Sequence, residues 1–139
     1  MTLVLVDVAN TVGSRPDGWW RDRAGATARL LDRLARLPGR QLAGPDGAAV
    51  TVTGLVAVVE GQARDVDAPE GVRVVRAAGS GDDALAAVAT ELAHDDLLVV
   101  TADRGLRARL PPAARVTGPG WLLAAADDDS GTARPGVQG

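Results

Sequence analysis

The stretch TLVLVDV at residues 2–8 constrains this chain more than any other. A strand with one wet face alternates apolar and polar residues, whereas this run is apolar at almost every position, the pattern of a central strand buried on both faces. Burial on both faces requires helices above and below the sheet, and so a mainly parallel sheet whose strands are joined by crossover helices. The run also reaches a carboxylate, Asp7, and three positions later Asn10, the only asparagine in the chain. An unpaired carboxylate at the end of a core strand is costly, so Asp7 needs a partner or a purpose.

The rest of the chain supplies the elements such a sheet needs. Residues 21–37 place Ala28, Leu31, Leu34, Ala35 and Leu37 near helical spacing and stop at Pro38-Gly39, which predicts a crossover helix. A second strand lies within AVTVTGLVAVVE (49–60), from Val52 or Leu55 onward, and it too closes on an acid, Glu60. VRVVRA (72–77) alternates enough for a third strand nearer an edge, and GSGDDALAAVATELAH opens a helix from a Gly-Ser turn. DLLVVTAD (96–103) reads as a fourth, buried strand, RGLRARL as a short helix stopped by Pro111-Pro112, ARVTG (114–118) as a fifth strand, and PGWLLAAA as a last helical turn or two.

The expectation is one three-layer α/β domain over residues 1–126, with a central, mainly parallel five-stranded sheet of Rossmann-like type. Residues 127–139 carry no core-forming pattern and are expected to be a flexible acidic tail. A length of 139 residues with 46% hydrophobic residues suits one core rather than two. The chain has no cysteine, which removes disulfides and thiolate metal sites; with no apolar run long enough for a membrane span and no secretion signal, a cytoplasmic location is expected.

In open α/β sheets ligands sit beyond the carboxyl ends of the strands, at the switch in strand order. Asp7 and Glu60 close strands one and two, Asp103 lies just past strand four, and Asp82 and Asp83 begin the helix after strand three. All five acids therefore address one sheet edge. Gathered carboxylates repel one another unless a cation holds them, and hard oxygen ligands select Mg²⁺ or Mn²⁺ over Zn²⁺. Such a site suits phosphoryl transfer. Each acid also has a plainer reading: Asp82 and Asp83 follow Ser80 as in a helix cap, Asp103 precedes a short helix, and Glu60-Gly61 is a strand exit. Asp7 fits a plain reading least well.

LVLVDVANTVG, VVEG, GSGDDAL, VVTADRGLRARL and VTGPGWLL, in this order over residues 2–126, resemble the sequence blocks of NYN domains, a ribonuclease-like branch of the PIN-domain superfamily. The resemblance implies divalent metal at Asp7, at Asp82 or Asp83, and at Asp103, and hydrolysis of RNA to a 5′-phosphate and a 3′-hydroxyl. Glu60 stands where many relatives carry Asp-Gly and is a further candidate metal ligand. Asn10 matches the polar residue after the first acid and Thr101 the hydroxyl before the last, both expected to orient water or phosphate. One of Asp82 and Asp83 suffices as a direct ligand, with Asp83 orienting the other. Homodimers occur among PIN-like proteins, and a homodimer is entertained on that ground alone.

The net charge of −3 offers no overall attraction for nucleic acid, but all 15 basic residues are arginine, which grips phosphate in a fixed fork. Arg15, Arg21 and Arg23 after strand one, with Arg104, Arg107 and Arg109 after strand four, are expected to flank the acidic edge; Arg15, Arg104, Thr101 and Ser80 are the candidate substrate contacts. Trp19-Trp20 reads as helix-start packing or as a stacking surface for an unpaired base, and Trp121 as a core anchor. His94, the sole histidine, suits a helix C-terminus better than a general base. Two other functions share parts of this logic: a nucleoside triphosphate pyrophosphohydrolase, which lacks support from any E-x-x-E pair or G-K-[ST] loop, and a non-catalytic RNA- or protein-binding module.

Overall fold

The computed structural model describes residues 1–15, 18–93 and 96–127. His94 and the tail from Asp128 onward lie outside the described residues. Six strands and five helices follow in order: β1 Thr2–Asp7, α1 Val8–Gly13, α2 Arg23–Leu34, β2 Gln41–Ala43, β3 Ala49–Val59, β4 Val72–Arg76, α3 Gly81–Glu91, β5 Leu97–Val100, α4 Arg104–Arg107, β6 Arg115–Thr117 and α5 Pro119–Asp127.

β1 is the centre of the sheet. It pairs in parallel with β3 on one side (Val4 opposite Leu55) and with β5 on the other (Val4 opposite Leu98). β4 adds in parallel to β3, and β6 to β5. The chain therefore winds outward from β1 to β3 and β4, then crosses back to β5 and β6, so the switch in strand order falls at β1. Both faces of β1 are covered, as its continuous apolar pattern requires. Val4 and Val6 pack with Leu31 and Leu34 of α2 and Leu122 of α5, whereas Leu5 packs with Val56 and Val58 of β3 and Leu85 and Ala89 of α3. Val4, Leu5 and Val6 are each 0% exposed. Each such side chain contributes roughly 1.5–3 kcal/mol by leaving water.

Helix α2 follows its apolar spacing, burying Thr27, Leu30, Leu31 and Leu34, and starts where the Asp22 side chain accepts the Gly25 N–H at 2.9 Å. Trp121 packs against the core beside α5 and donates its indole N–H to the Ala43 carbonyl at 3.0 Å. No helix among the described residues is long and apolar enough to cross a membrane.

The sheet has six strands rather than the expected five. The extra one, β2, runs antiparallel to the first residues of β3, with Gln41 opposite Thr51. Three residues between glycines are too few to show an alternating pattern. The hairpin is made by its turn, where Asp46 accepts the Ala48 N–H at 3.0 Å and Gly47 adopts φ +88°, a conformation open to glycine. The second strand also begins earlier than Val52 because β2 supplies partners for its first residues. Asp127, grouped by sequence with the tail, closes α5 and pairs with Arg15 at 3.0 Å and with Arg33.

Candidate active site

Three helices begin at this edge of the sheet, and a carboxylate meets the start of each. Asp7 is the last residue of β1 and the cap of α1, with Oδ1 accepting the Asn10 N–H at 3.3 Å. Asp103 caps α4 by accepting the Leu106 N–H at 3.0 Å. Glu60, just past β3, reaches across to accept the first N–H of α3, from Gly81. Helix starts carry unpaired N–H groups and a positive dipole end, so they compensate carboxylates that would otherwise repel one another at this edge.

Asp7 is held from a second direction. Its Oδ2 accepts the Thr101 hydroxyl at 2.9 Å, and the Thr101 oxygen in turn accepts the Asp103 N–H at 3.1 Å. The Asn10 side chain accepts the Ala102 N–H at 2.8 Å. Two side chains thus stitch the end of β1 to the loop between β5 and α4, and both act on positions 92 or 94 residues distant in sequence. Thr101 is 0% exposed, which sets its hydroxyl to orient Asp7 and Asp103 rather than to meet substrate.

The acids remain mutually strained. Burial pushes the Asp7 carboxyl above the usual carboxylate range; the Thr101 and Asn10 bonds oppose that, and the charges of Asp82 and Glu60 add to it. Asp82 is likewise raised, by partial burial and then by Asp103 and Glu60, with Arg109 pulling the other way. Asp82, in the first turn of α3, therefore belongs electrostatically to the acidic edge. Asp83 does not join it in the same way: its side chain is 71% exposed and pairs with Arg109 at 2.8 Å. Ser80 caps α3, its oxygen accepting the Asp82 and Asp83 N–H groups at 3.1 and 3.4 Å.

Asp7, Asp82, Asp103 and Glu60 match a hard divalent cation in donor type and in charge, and their repulsion is what such an ion relieves. Among the described residues, however, no three Asp, Glu or His side chains stand close enough to form a metal-holding group.

The arginines distribute differently from one another. Arg109 stands at the acids, Arg107 donates to the Thr101 carbonyl at 3.0 Å, and Arg104 is exposed at the first turn of α4. Arg15 is not at this edge; it lies in a groove with Arg29 and Arg33 and pairs with Asp127, because α1 carries it toward α2 and α5. Arg21 and Arg23 lie over the Trp20 and Trp19 rings at 5.7 and 5.3 Å, and Trp20 is 53% exposed.

Sequence reasoning missed α1 and with it the capping role of Asp7, since six residues of VANTVG are too few to show a helical period. It also passed over Thr27. A threonine on the apolar stripe of α2 was the available signal, for its neighbours there are all leucine.

No protein-family model matches the chain. No curated protein is significantly similar to it in sequence. Among solved structures it matches Rae1 (YacP) from Bacillus subtilis with a TM-score of 0.64 and 17% identity, over 91% of this chain and 76% of that one. It also aligns with a mutant of T5 5′-exonuclease, with a TM-score of 0.49 and 13% identity, over 84% of this chain and 49% of that one. The likeness to Rae1 is one of fold: a single mixed α/β domain built on a mainly parallel sheet.

Proposed function

We propose that this chain is a divalent-metal-dependent nuclease that hydrolyses phosphodiester bonds of single-stranded RNA in the cytoplasm. The observation that carries the reading is Asp7: a carboxylate at the switch point of a parallel sheet, held on both oxygens by Thr101 and the start of α1, and surrounded by further acids. A purely structural cap does not need Asp82 and Glu60 as neighbours that raise its pKa. The fold likeness and the resemblance to NYN domains point the same way.

Asp7, Asp103 and Asp82 are the residues that would hold Mg²⁺ or Mn²⁺, with Glu60 beside them. A bound ion of this kind supplies an activated water and neutralises charge on the phosphodiester. Thr101 and Asn10 fix Asp7 and the following loop, so that the donors need little reorganisation. Arg109, and Arg104 once a strand is bound, offset charge on the non-bridging oxygens. Asp83 keeps Arg109 in place.

The test is cleavage of a labelled single-stranded RNA with Mn²⁺, with Mg²⁺ and with EDTA, beside an Asp7→Ala variant of unchanged fold. Loss of cutting in EDTA and in the variant supports the assignment. Full cutting by Asp7→Ala refutes it, and RNA binding without turnover, indifferent to EDTA, would make the domain a binding module.

A further inference from the structure

Beside the acidic edge, between α1, the Trp19–Arg21 turn and the start of α2, lies a cavity of about 410 Å³. That is within the range of roughly 300–1,000 Å³ typical of small-molecule sites. Val8 and Val12 of α1 give it an apolar floor, Trp19 a flat aromatic wall, and Arg23, Thr27 and Glu60 its polar groups. Thr27 is the informative one. It is 2% exposed and lines the cavity, so its hydroxyl is screened from bulk water. A hydroxyl so placed can donate and accept, and is set to meet a polar atom of a molecule in the cavity.

We infer that this cavity is a subsite for one unpaired nucleobase of an RNA strand whose adjacent phosphate lies at the acidic edge; the inference rests on the nuclease reading. Trp19 and the Arg23 guanidinium 5.3 Å above its ring offer two planes on which bases stack. The apolar floor suits the ring and not the sugar-phosphate. Glu60 lines the cavity with a carboxylate of which one oxygen is taken by Gly81. The remaining oxygen only accepts, so it selects a base edge that donates N–H groups, and guanine presents two side by side. Thr27 completes the polar contacts by donating or accepting. Because Glu60 belongs to both the cavity and the acidic edge, a base seated here brings its own phosphate to Asp7 and Asp82.

The experiment measures fluorescence anisotropy of labelled tetraribonucleotides, each with a single guanine, adenine, cytosine or uracil in a common background, in EDTA so that binding is read without cleavage. Free 5′-mononucleotides compete in a second arm. The guanine oligomer is expected to bind at least about threefold more tightly than the others, and at least about tenfold more tightly than GMP. Thr27→Val is expected to weaken it about three- to tenfold while keeping the parent's far-UV circular dichroism and a cooperative melt. Trp19→Phe is expected to weaken it less than Trp19→Leu. Unchanged affinity in Thr27→Val and Trp19→Leu overturns the subsite, and GMP binding as tightly as the oligomer overturns its assignment to a strand. Thr27-dependent binding in a protein that never cuts RNA would sink the nuclease reading alone; metal-dependent cutting with binding blind to Thr27 would sink the subsite alone.

Discussion

Thr101→Val removes one oxygen from a fully buried position and leaves the shape nearly unchanged, so its cost can be worked from two hydrogen bonds. The first is donated to the Asp7 carboxylate at 2.9 Å, and a bond to a charged group contributes about 1.5–3 kcal/mol. The second is accepted from the Asp103 N–H at 3.1 Å; leaving that donor unpaired costs about 1–3 kcal/mol if water cannot reach it, and less where it can. Together they give about 2.5–6 kcal/mol with no water at Asp103; because Asp103 is only half-buried, water offsets part of the second cost and the destabilisation is about 2–4 kcal/mol. At roughly 3–5 °C per kcal/mol for a domain of this size, the melting temperature should fall by about 6–20 °C. The loss should depend on pH. The Thr101 bond favours ionised Asp7, so the penalty is full where Asp7 is charged and shrinks as pH falls and Asp7 takes up its proton. Thermal melts of the parent, Thr101→Val, Asp7→Asn and the double variant between acidic and neutral pH read both effects. A loss under about 1 kcal/mol, or strict additivity with Asp7→Asn, would refute the claim that Thr101 holds Asp7.

The raised pKa of Asp7 has a sign of its own. Between the ordinary carboxylate range and the raised value the folded protein binds more protons than the unfolded chain, so stability falls as pH rises through that window. Asp7→Asn should therefore melt above the parent at neutral pH and lose that advantage in acid; melting below the parent at pH 7 would count against a strained site. Gly81→Ala would drive its Cβ into the Glu60 carboxylate, which must swing away and give up the Gly81 N–H; a loss of about 0.5–1.5 kcal/mol in urea titration, with weakened Mn²⁺-dependent thermal stabilisation, is expected. Asp22→Ala should cost about 0.5–2 kcal/mol in the same titration by uncapping α2, with RNA cleavage unaffected at saturating substrate.

The fold was legible where burial is continuous. TLVLVD and LLVV announce themselves as two-sided core strands, and the two-sided cover over Val4, Leu5 and Val6 follows from them. The leucines of α2 likewise carry their period over twelve residues. What escaped were elements of three to six residues, β2 and α1, whose existence depends on a glycine turn and a side-chain cap. The acidic edge was legible as an address, since the strand ends fix it. Its internal division was not: which of Asp82 and Asp83 turns to the acids depends on Arg109, which approaches from 26 residues away. Arg15 was misplaced for a related reason, because the helix that carries it toward Asp127 was itself unseen.

β1 is the first strand made and the middle strand of the finished sheet, and its partners on the two flanks are β3 and β5. During synthesis Asp7 emerges long before Thr101, 94 residues behind it. At about 5–20 residues per second, that is an interval of roughly 5–20 s. For that time the nascent chain carries Asp7 with neither its hydroxyl partner nor the opposing loop. On the proposed function, the edge that would cut RNA is not assembled until the β5–α4 loop has been made and Thr101 has closed on Asp7.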